Sequence, residues 1–334
     1  MSILIQRFLK IDRREVEFAR RGFTCSNPAI QDHLENIGRL FLQGYDVALQ
    51  REDLPAVADR LDQIAPEGRG FAYEGAGMAL ALLDSFSFDG DAFPRFVARA
   101  GKQHIFMLHV GAGWAYARVP WKRRRIESVI RNLHPVLRWL VIDGYGFHEG
   151  YFHGKTEASS VDPAAHLSEQ GSHVFYQGLG RSLWFVKGAD VRRIAECIAS
   201  FPSPYQGDAW SGAGLACAYA GGIAPKEIAE LGRWAGMFSA ALAQGAAFAA
   251  KARLLAGNPA KHTDAACLSL CGLGSAKAAA LCDETFRKIN FLLPCPYQHW
   301  RELIQRFFSA SDFPTRGQFH ESSVSSTLAA TKSN

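Results

Sequence analysis

A glycine-rich segment that occurs twice constrains the fold of this chain more than any other feature. Residues 70–79 read GFAYEGAGMA, and residues 207–216 read GDAWSGAGLA. The two copies align without a gap from Asp53 and Asp190 onward, so each residue of the first copy aligns with the residue 137 positions later. An ungapped match of this length indicates a duplicated supersecondary unit.

Each copy of the glycine-rich segment follows a stretch whose apolar residues have helical spacing. Asp53 is typical of a helix N-cap, with Pro55 in the first turn and apolar residues at helical spacing behind it. Residues 66–68, Pro-Glu-Gly, are expected to break that helix before the glycine-rich helix begins near Glu74. Alternating strand patterns are scarce elsewhere. The sequence therefore predicts an all-α, internally duplicated fold with two pseudo-symmetric halves around a shared apolar core.

The paired glycines need an offsetting gain, because each costs about 1 kcal/mol relative to alanine inside a helix. Gly75 and Gly77 in the first copy correspond to Gly212 and Gly214 in the second. Two gains are open at this point: close approach of another helix, or contact with a flat ligand.

Changes in composition divide the chain into four parts. We expect an N-terminal arm at 1–22, a first helical half at 23–155, a second helical half at 156–308 and a flexible tail at 309–334. The seam between the halves is marked by polar residues, and the tail is rich in serine and threonine.

Composition limits the class of protein. The 334 residues are 48% hydrophobic with a net charge of +5, which favours a large folded core and is too weakly basic for a nucleic-acid partner. The seven scattered cysteines and the absence of a signal-like or 18-residue apolar segment predict a cytoplasmic protein. Peripheral attachment to a membrane and a homodimer are compatible with these features.

The segment 143–153, DGYGFHEGYFH, concentrates the groups that can carry chemistry. His148 and His153 are five residues apart, about 140° around a helix, which is not the metalloprotease spacing. A non-haem metal bound here would therefore need a loop and further ligands, of which Glu74 and His109 are the best candidates. The alternative is that these side chains bond to backbone at a crowded turn.

Acid–base chemistry is a second interpretation. Glu74 corresponds to Ser211 in the other copy, so its carboxylate is not needed for packing of the repeat. A carboxyl group held among aromatic side chains has its charged form disfavoured, as a catalytic acid requires. The candidate catalytic residues are Glu74, His109, Asp143, His148 and Glu149.

Aromatic residues near these groups are candidates for a ligand pocket. Arg181 either pairs with a buried acid or clamps an acidic group on a ligand. The candidate ligand-binding residues are Tyr73, Trp114, Tyr145, Phe147, Arg181, Trp184 and Trp210.

Five stretches together resemble the UnbL-type enediyne biosynthesis family of bacteria. They are RGFAYEGAGMA at 69–79, HVGAGWAYAR at 109–118, DGYGFHEGYF at 143–152, GLGRSLWF at 178–185 and DAWSGAGLA at 208–216. The resemblance runs from about residue 21 to 308. It implies a role beside enediyne polyketide synthases, together with a membrane protein and a second accessory protein, in turning a linear polyene into the enediyne core. It implies no catalytic residues.

The leading hypothesis is an enzyme that assists oxidation or cyclisation of a long apolar unsaturated intermediate bound between the halves. One alternative is a non-catalytic carrier or assembly partner that docks onto a membrane electron-transfer protein through the basic run Lys122–Arg125. A third interpretation is an acid-initiated isoprenoid cyclase, which needs only a buried acid in an aromatic pocket.

Overall fold

The structure is a computed structural model that describes residues 8–50, 53–87, 90–99, 101–153 and 167–310. These residues form α-helices, short 3-10 turns and connecting loops, and no strand occurs among them. The predicted all-α class is confirmed. The predicted seam at 155–156 lies outside the described residues, as does the predicted flexible tail from 311 onward. Residues 309 and 310 complete the last helix instead.

The helices of the N-terminal part are α1 (Phe18–Arg21), α2 (Pro28–Leu49), α3 (Leu54–Asp62), α4 (Pro66–Ser85), α5 (Ala92–Ala98), α6 (Ile105–Arg118), α7 (Pro120–Arg123), α8 (Ile126–Val129) and α9 (Trp139–His153). The remaining helices are α10 (Glu169–Val186), α11 (Val191–Ala199), α12 (Gln206–Ala220), α13 (Pro225–Ala235), α14 (Ser239–Leu255), α15 (Lys261–Cys271), α16 (Ser275–Phe286) and α17 (Pro296–Ala310). The 3-10 turns span Arg13–Val16, Lys102–His104, Ile130–Asn132, Ser203–Tyr205 and Gly236–Phe238.

Helix starts follow local chemistry. The side chain of Asn27 caps α2, with Pro28 at its first position, and the side chain of Asp53 caps α3. The predicted break before the glycine-rich helix is present, but it lies at residues 63–65 rather than at 66–68. Pro66 occupies the first position of α4, where its missing N–H costs nothing, so the glycine-rich helix begins eight residues earlier than predicted.

Seven helices form the centre of the molecule as a continuous row. The most extensive helix–helix contacts join α2, α4, α6, α9, α10, α12 and α14 in that order. The two ends of the row meet, since His33 Nε2 lies 2.7 Å from the carbonyl of Ala220 and Arg253 donates to the carbonyl of Glu67. The row therefore curves round a common centre, and the shorter helices cover its outside.

Close backbone approach accounts for the helical glycines. A Cβ atom on Gly75 would lie 1.9 Å from the carbonyl oxygen of Phe41, and one on Gly212 would lie 2.0 Å from that of Gln177. Of the two gains open from sequence, helix packing is therefore the one that these positions show. The close crossing lets backbone dipoles and apolar side chains pack at short range.

Helix length and helix capping also repeat at the predicted offset of 137 residues. Helices α3 and α11 each contain nine residues, 137 positions apart, and the side chains of Asp53 and Asp190 cap them in the same way. The duplication of the two halves itself stays a prediction. A single contiguous core of buried apolar residues extends from Leu9 to Phe308 and draws on both halves.

The two caps give a direct test of this local correspondence. Asp53→Ala and Asp190→Ala are each expected to lower the free energy of unfolding by about 1 kcal/mol, because each leaves first-turn N–H groups without an acceptor. Urea unfolding of both variants would measure it, with Asp59→Ala in the exposed middle of α3 as the control. A cost at only one of the two caps would contradict the correspondence.

No single helix among the described residues is long and apolar enough to cross a membrane. The consecutive helices α15 and α16 meet the length and composition requirement only as a pair, and they are bent by 68° at their junction.

Candidate active site

A cavity lies at the centre of the curved row. It is lined by α2, α4, α6, α9, α10 and α12, and the 3-10 turn Arg13–Val16 covers one side. The cavity has a volume of about 70 Å³, which is room for roughly five ordered water molecules. Most of its wall is apolar, including Phe41, Phe71, Met78 and Met107. The polar side chains that reach it are those of Glu15, Glu74, Arg118 and Arg181.

Glu74 is the central ionisable group of this wall. Helix α4 holds it with only 6% of its surface exposed. The indole Nε1 of Trp114 on α6 donates a hydrogen bond to its Oε1 over 3.1 Å. Burial raises the pKa of Glu74 to about 7, against the opposing effect of the Arg181 guanidinium 4.0 Å away.

Asp143 and Arg181 form the second part of the cluster. Arg181 Nε lies 2.9 Å from Asp143 Oδ1, although its N–H does not point at that oxygen closely enough for a hydrogen bond. Gln177 donates to the other carboxylate oxygen over 2.9 Å, and the guanidinium rests on the ring of Phe147 at 4.8 Å. Burial raises the pKa of Asp143, whereas Arg181 and Gln177 oppose that shift.

One buried cation therefore faces two buried carboxyl groups. Coulomb attraction falls with distance, so the cation favours ionised Asp143 at 2.9 Å more than Glu74 at 4.0 Å. Asp143 and Arg181 therefore form the closer ion pair, and Glu74 is the carboxyl group whose pKa burial raises to about 7.

Three residues of this region were not among the sequence candidates. Gln177 links Asp143 to the hydroxyl of Tyr297, and Tyr219 lines the cavity. The signal for Gln177 was present, because it lies one helical turn before Arg181 on α10. Tyr297 comes from α17, 120 residues later in the chain, and nothing local in the sequence places it there.

A larger cleft lies beside the cavity. It has a volume of about 1270 Å³ and shares the side chains of Ile37, Leu42, Phe71 and Ala220 with the cavity wall. The cleft is also lined by several arginines, among them Arg39, together with acidic residues. The two spaces are therefore adjacent, with these four apolar side chains between them.

The last turn of α9 holds a third group of candidates. His148 and Glu149 are 3% and 2% exposed, and His153 is half-exposed. The segment from Asp143 to His153 is helical throughout, so it forms neither the loop that a metal site was expected to need nor the crowded turn of the alternative interpretation. Its glycines allow close contact with neighbouring elements, as at Gly146 against the backbone of Phe175. Both histidines nevertheless reach Glu149, through adjacent and i,i+4 positions.

Other sequence candidates lie away from the cavity. Nδ1 of His109 is 2.8 Å from the carbonyl oxygen of Ile105, and burial lowers the pKa of this histidine to about 4. Trp184 donates to the carbonyl of Gly221 in the core. Of the seven ligand-binding candidates, three line the cavity, namely Trp114, Phe147 and Arg181. The other four, Tyr73, Tyr145, Trp184 and Trp210, are buried without lining it.

Comparison with known proteins places the chain in a family without assigning an activity. No curated protein and no solved structure matches it significantly. The family described as "Protein of unknown function (DUF1702)" matches residues 1–308, and the chain therefore belongs to that family.

Proposed function

We propose that the protein binds the apolar part of an unsaturated small molecule in the central cavity and moves a proton on it through Glu74. One observation supports this above all others. A buried carboxyl group with a pKa of about 7 faces an apolar cavity, beside a cation that is already paired. A catalytic acid or base works best when its pKa lies near the working pH.

The chemistry is a proton shuttle without a change of oxidation state. Protonated Glu74 gives its proton to a carbon of a double bond, and the electron pair of that bond forms the new C–H bond. The carbon next to the new C–H bond is left as a carbocation. Loss of a proton from a neighbouring carbon to the Glu74 carboxylate then forms a new double bond. If a second alkene of the same molecule attacks the carbocation first, a C–C bond closes a ring before the proton is lost. The aromatic ring of Trp114 in the cavity wall stabilises a cationic intermediate.

The resemblance to the enediyne biosynthesis family supports a polyene as the substrate class. The water-accessible space of about 70 Å³ suits a short segment of such a chain rather than its full length. We therefore propose that the reacting segment occupies the cavity and that the remainder lies in the larger cleft. The acid-initiated interpretation fits Glu74, because its raised pKa of about 7 keeps a proton available beside an apolar cavity.

The test uses the conjugated fatty acid cis-parinaric acid as a fluorescent probe and mass spectrometry of co-purifying molecules. Wild type is expected to bind the probe, and Ala216→Phe, which fills the cavity wall, is expected to weaken binding at least tenfold. Glu74→Gln is expected to bind the probe normally but to co-purify with unconverted substrate where wild type carries product. If Ala216→Phe binds the probe as tightly as wild type does, the cavity is not the binding site.

A carrier role is the second candidate, and a specific surface supports it. Trp121 is 55% exposed beside the basic run Lys122–Arg125, in which Arg124 and Arg125 are also exposed. Such a surface suits an acidic partner, for which a membrane electron-transfer protein is our proposal. Identical small molecules in wild type and Glu74→Gln would favour this carrier role over catalysis.

A further inference from the structure

The end of α9 places three potential metal ligands together, apart from the Glu74 cluster. Nδ1 of His148 and Nδ1 of His153 each lie 3.3 Å from the same oxygen, Oε1 of Glu149. The three ligand atoms lie within 4.8 Å of one another. Two of the three residues are buried, so their side chains are held in place by packing.

His148 Nδ1 is within hydrogen-bonding reach of Glu149 Oε1, but 3.3 Å is long for such a bond and close to the spacing of two ligands on one metal ion. A hydrogen bond from an imidazole N–H to a carboxylate is typically about 2.7–2.9 Å long. Ligand atoms about 2.0–2.1 Å from a tetrahedral zinc ion are about 3.3–3.4 Å apart. Two imidazoles and one carboxylate are also the ligand set of many iron(II) and zinc sites that keep positions open for water or substrate.

Arg118 opposes metal binding at this position. Its Nε donates to Nε2 of His148 over 3.4 Å, which keeps the imidazole proton on Nδ1. Coordination through Nδ1 transfers that proton to Nε2, so the arginine must then move away from the ring. Its guanidinium rests 5.1 Å from the Phe152 ring, and that contact does not depend on His148.

We propose that His148, Glu149 and His153 bind one divalent transition-metal ion, in competition with Arg118. The site contacts the cavity wall through the ring of Trp114, whose centroid is 6.0 Å from that of His148. This inference does not rest on the proposed role of Glu74, so either one can fail alone.

The experiment is a Co²⁺ titration of the full-length chain after treatment with a chelator, followed by visible d–d absorption. Wild type is expected to bind one equivalent. His153→Ala, at the half-exposed ligand, is expected to bind at least tenfold more weakly, whereas His134→Ala, at an exposed histidine outside the cluster, should match wild type. Thermal unfolding without metal checks that both variants are folded.

Arg118→Gln makes the test sharper. The glutamine carbonyl can accept the Nε2–H that coordination creates, and second-shell acceptors of this kind raise metal affinity by about 10–100-fold. We therefore expect this variant to bind Co²⁺ more tightly than wild type. Failure of wild type to bind Co²⁺, or unchanged binding by folded His153→Ala, would overturn the proposal.

Discussion

Gly178→Ala is expected to lower the free energy of unfolding by about 3 kcal/mol. The added Cβ would lie 1.9 Å from the carbonyl oxygen of Asp143 and 2.8 Å from the backbone nitrogen of Phe147. Both neighbours are backbone atoms of α9, which cannot rotate away as a side chain can. Helices α9 and α10 must therefore separate, and Arg181 and Gln177 move away from Asp143 with them.

The matched control is Gly207→Ala on α12. Its Cβ would meet only the ring of Phe238 at 3.4 Å, an ordinary contact, and alanine gains up to about 1 kcal/mol of helix propensity. Urea unfolding of the two variants should therefore give changes of opposite sign. Equal small effects would show that the crossing of α9 and α10 is looser than the structure indicates.

Glu74→Gln is expected to make the protein more stable at pH 8 by about 3 kcal/mol, with little change near pH 4.5. Folding raises the pKa of this carboxyl from 4.5 to about 7, mainly by burial. Its favourable contribution is therefore complete below pH 4.5 and is lost as the pH rises through 7. Glutamine is a neutral replacement that keeps an oxygen for the Trp114 N–H, so it avoids this loss.

Urea unfolding at pH 4.5 and pH 8 measures the difference, and other titrating groups cancel between the two proteins. Glu284→Gln is the control, because this glutamate lies on the surface in an ion pair with Lys288. Its change should stay within about 0.5 kcal/mol at both values of pH. If Glu74→Gln is less stable than wild type at pH 8, the charged Glu74 carboxylate stabilises the folded protein, as an ion pair with Arg181 would.

Short-range sequence signals gave reliable expectations where the chemistry is local. The cap at Asp53 was visible because its side chain accepts a hydrogen bond from an N–H group in the first turn of the helix that follows. Glu74, Asp143 and Arg181 stood out because charged side chains among aromatic and small residues are unusual. Pro66 was misinterpreted because proline both ends one helix and starts the next, and sequence alone does not distinguish the two.

The choice of cavity-lining residues was harder for a physical reason. The central helices are buried on nearly every face, so their apolar residues show no single stripe that indicates which side turns inward. On α4, Tyr73 bonds to Asp62 while its neighbour Glu74 faces the cavity. On α9, Phe147 lines the cavity, whereas Tyr145 packs against Phe175.

The sequence by itself determined the helical class and the helix cap at Asp53, because each depends on residues within a turn or two. The tertiary structure decided that the helical glycines mark helix crossings, since that depends on backbone from a distant part of the chain. Only the tertiary structure decided that Glu74, Asp143 and Arg181 share one buried cluster, and that Gln177 and Tyr297 support it. Their distances depend on how α4, α9, α10 and α17 pack, and that packing is set by contacts between residues far apart in the chain.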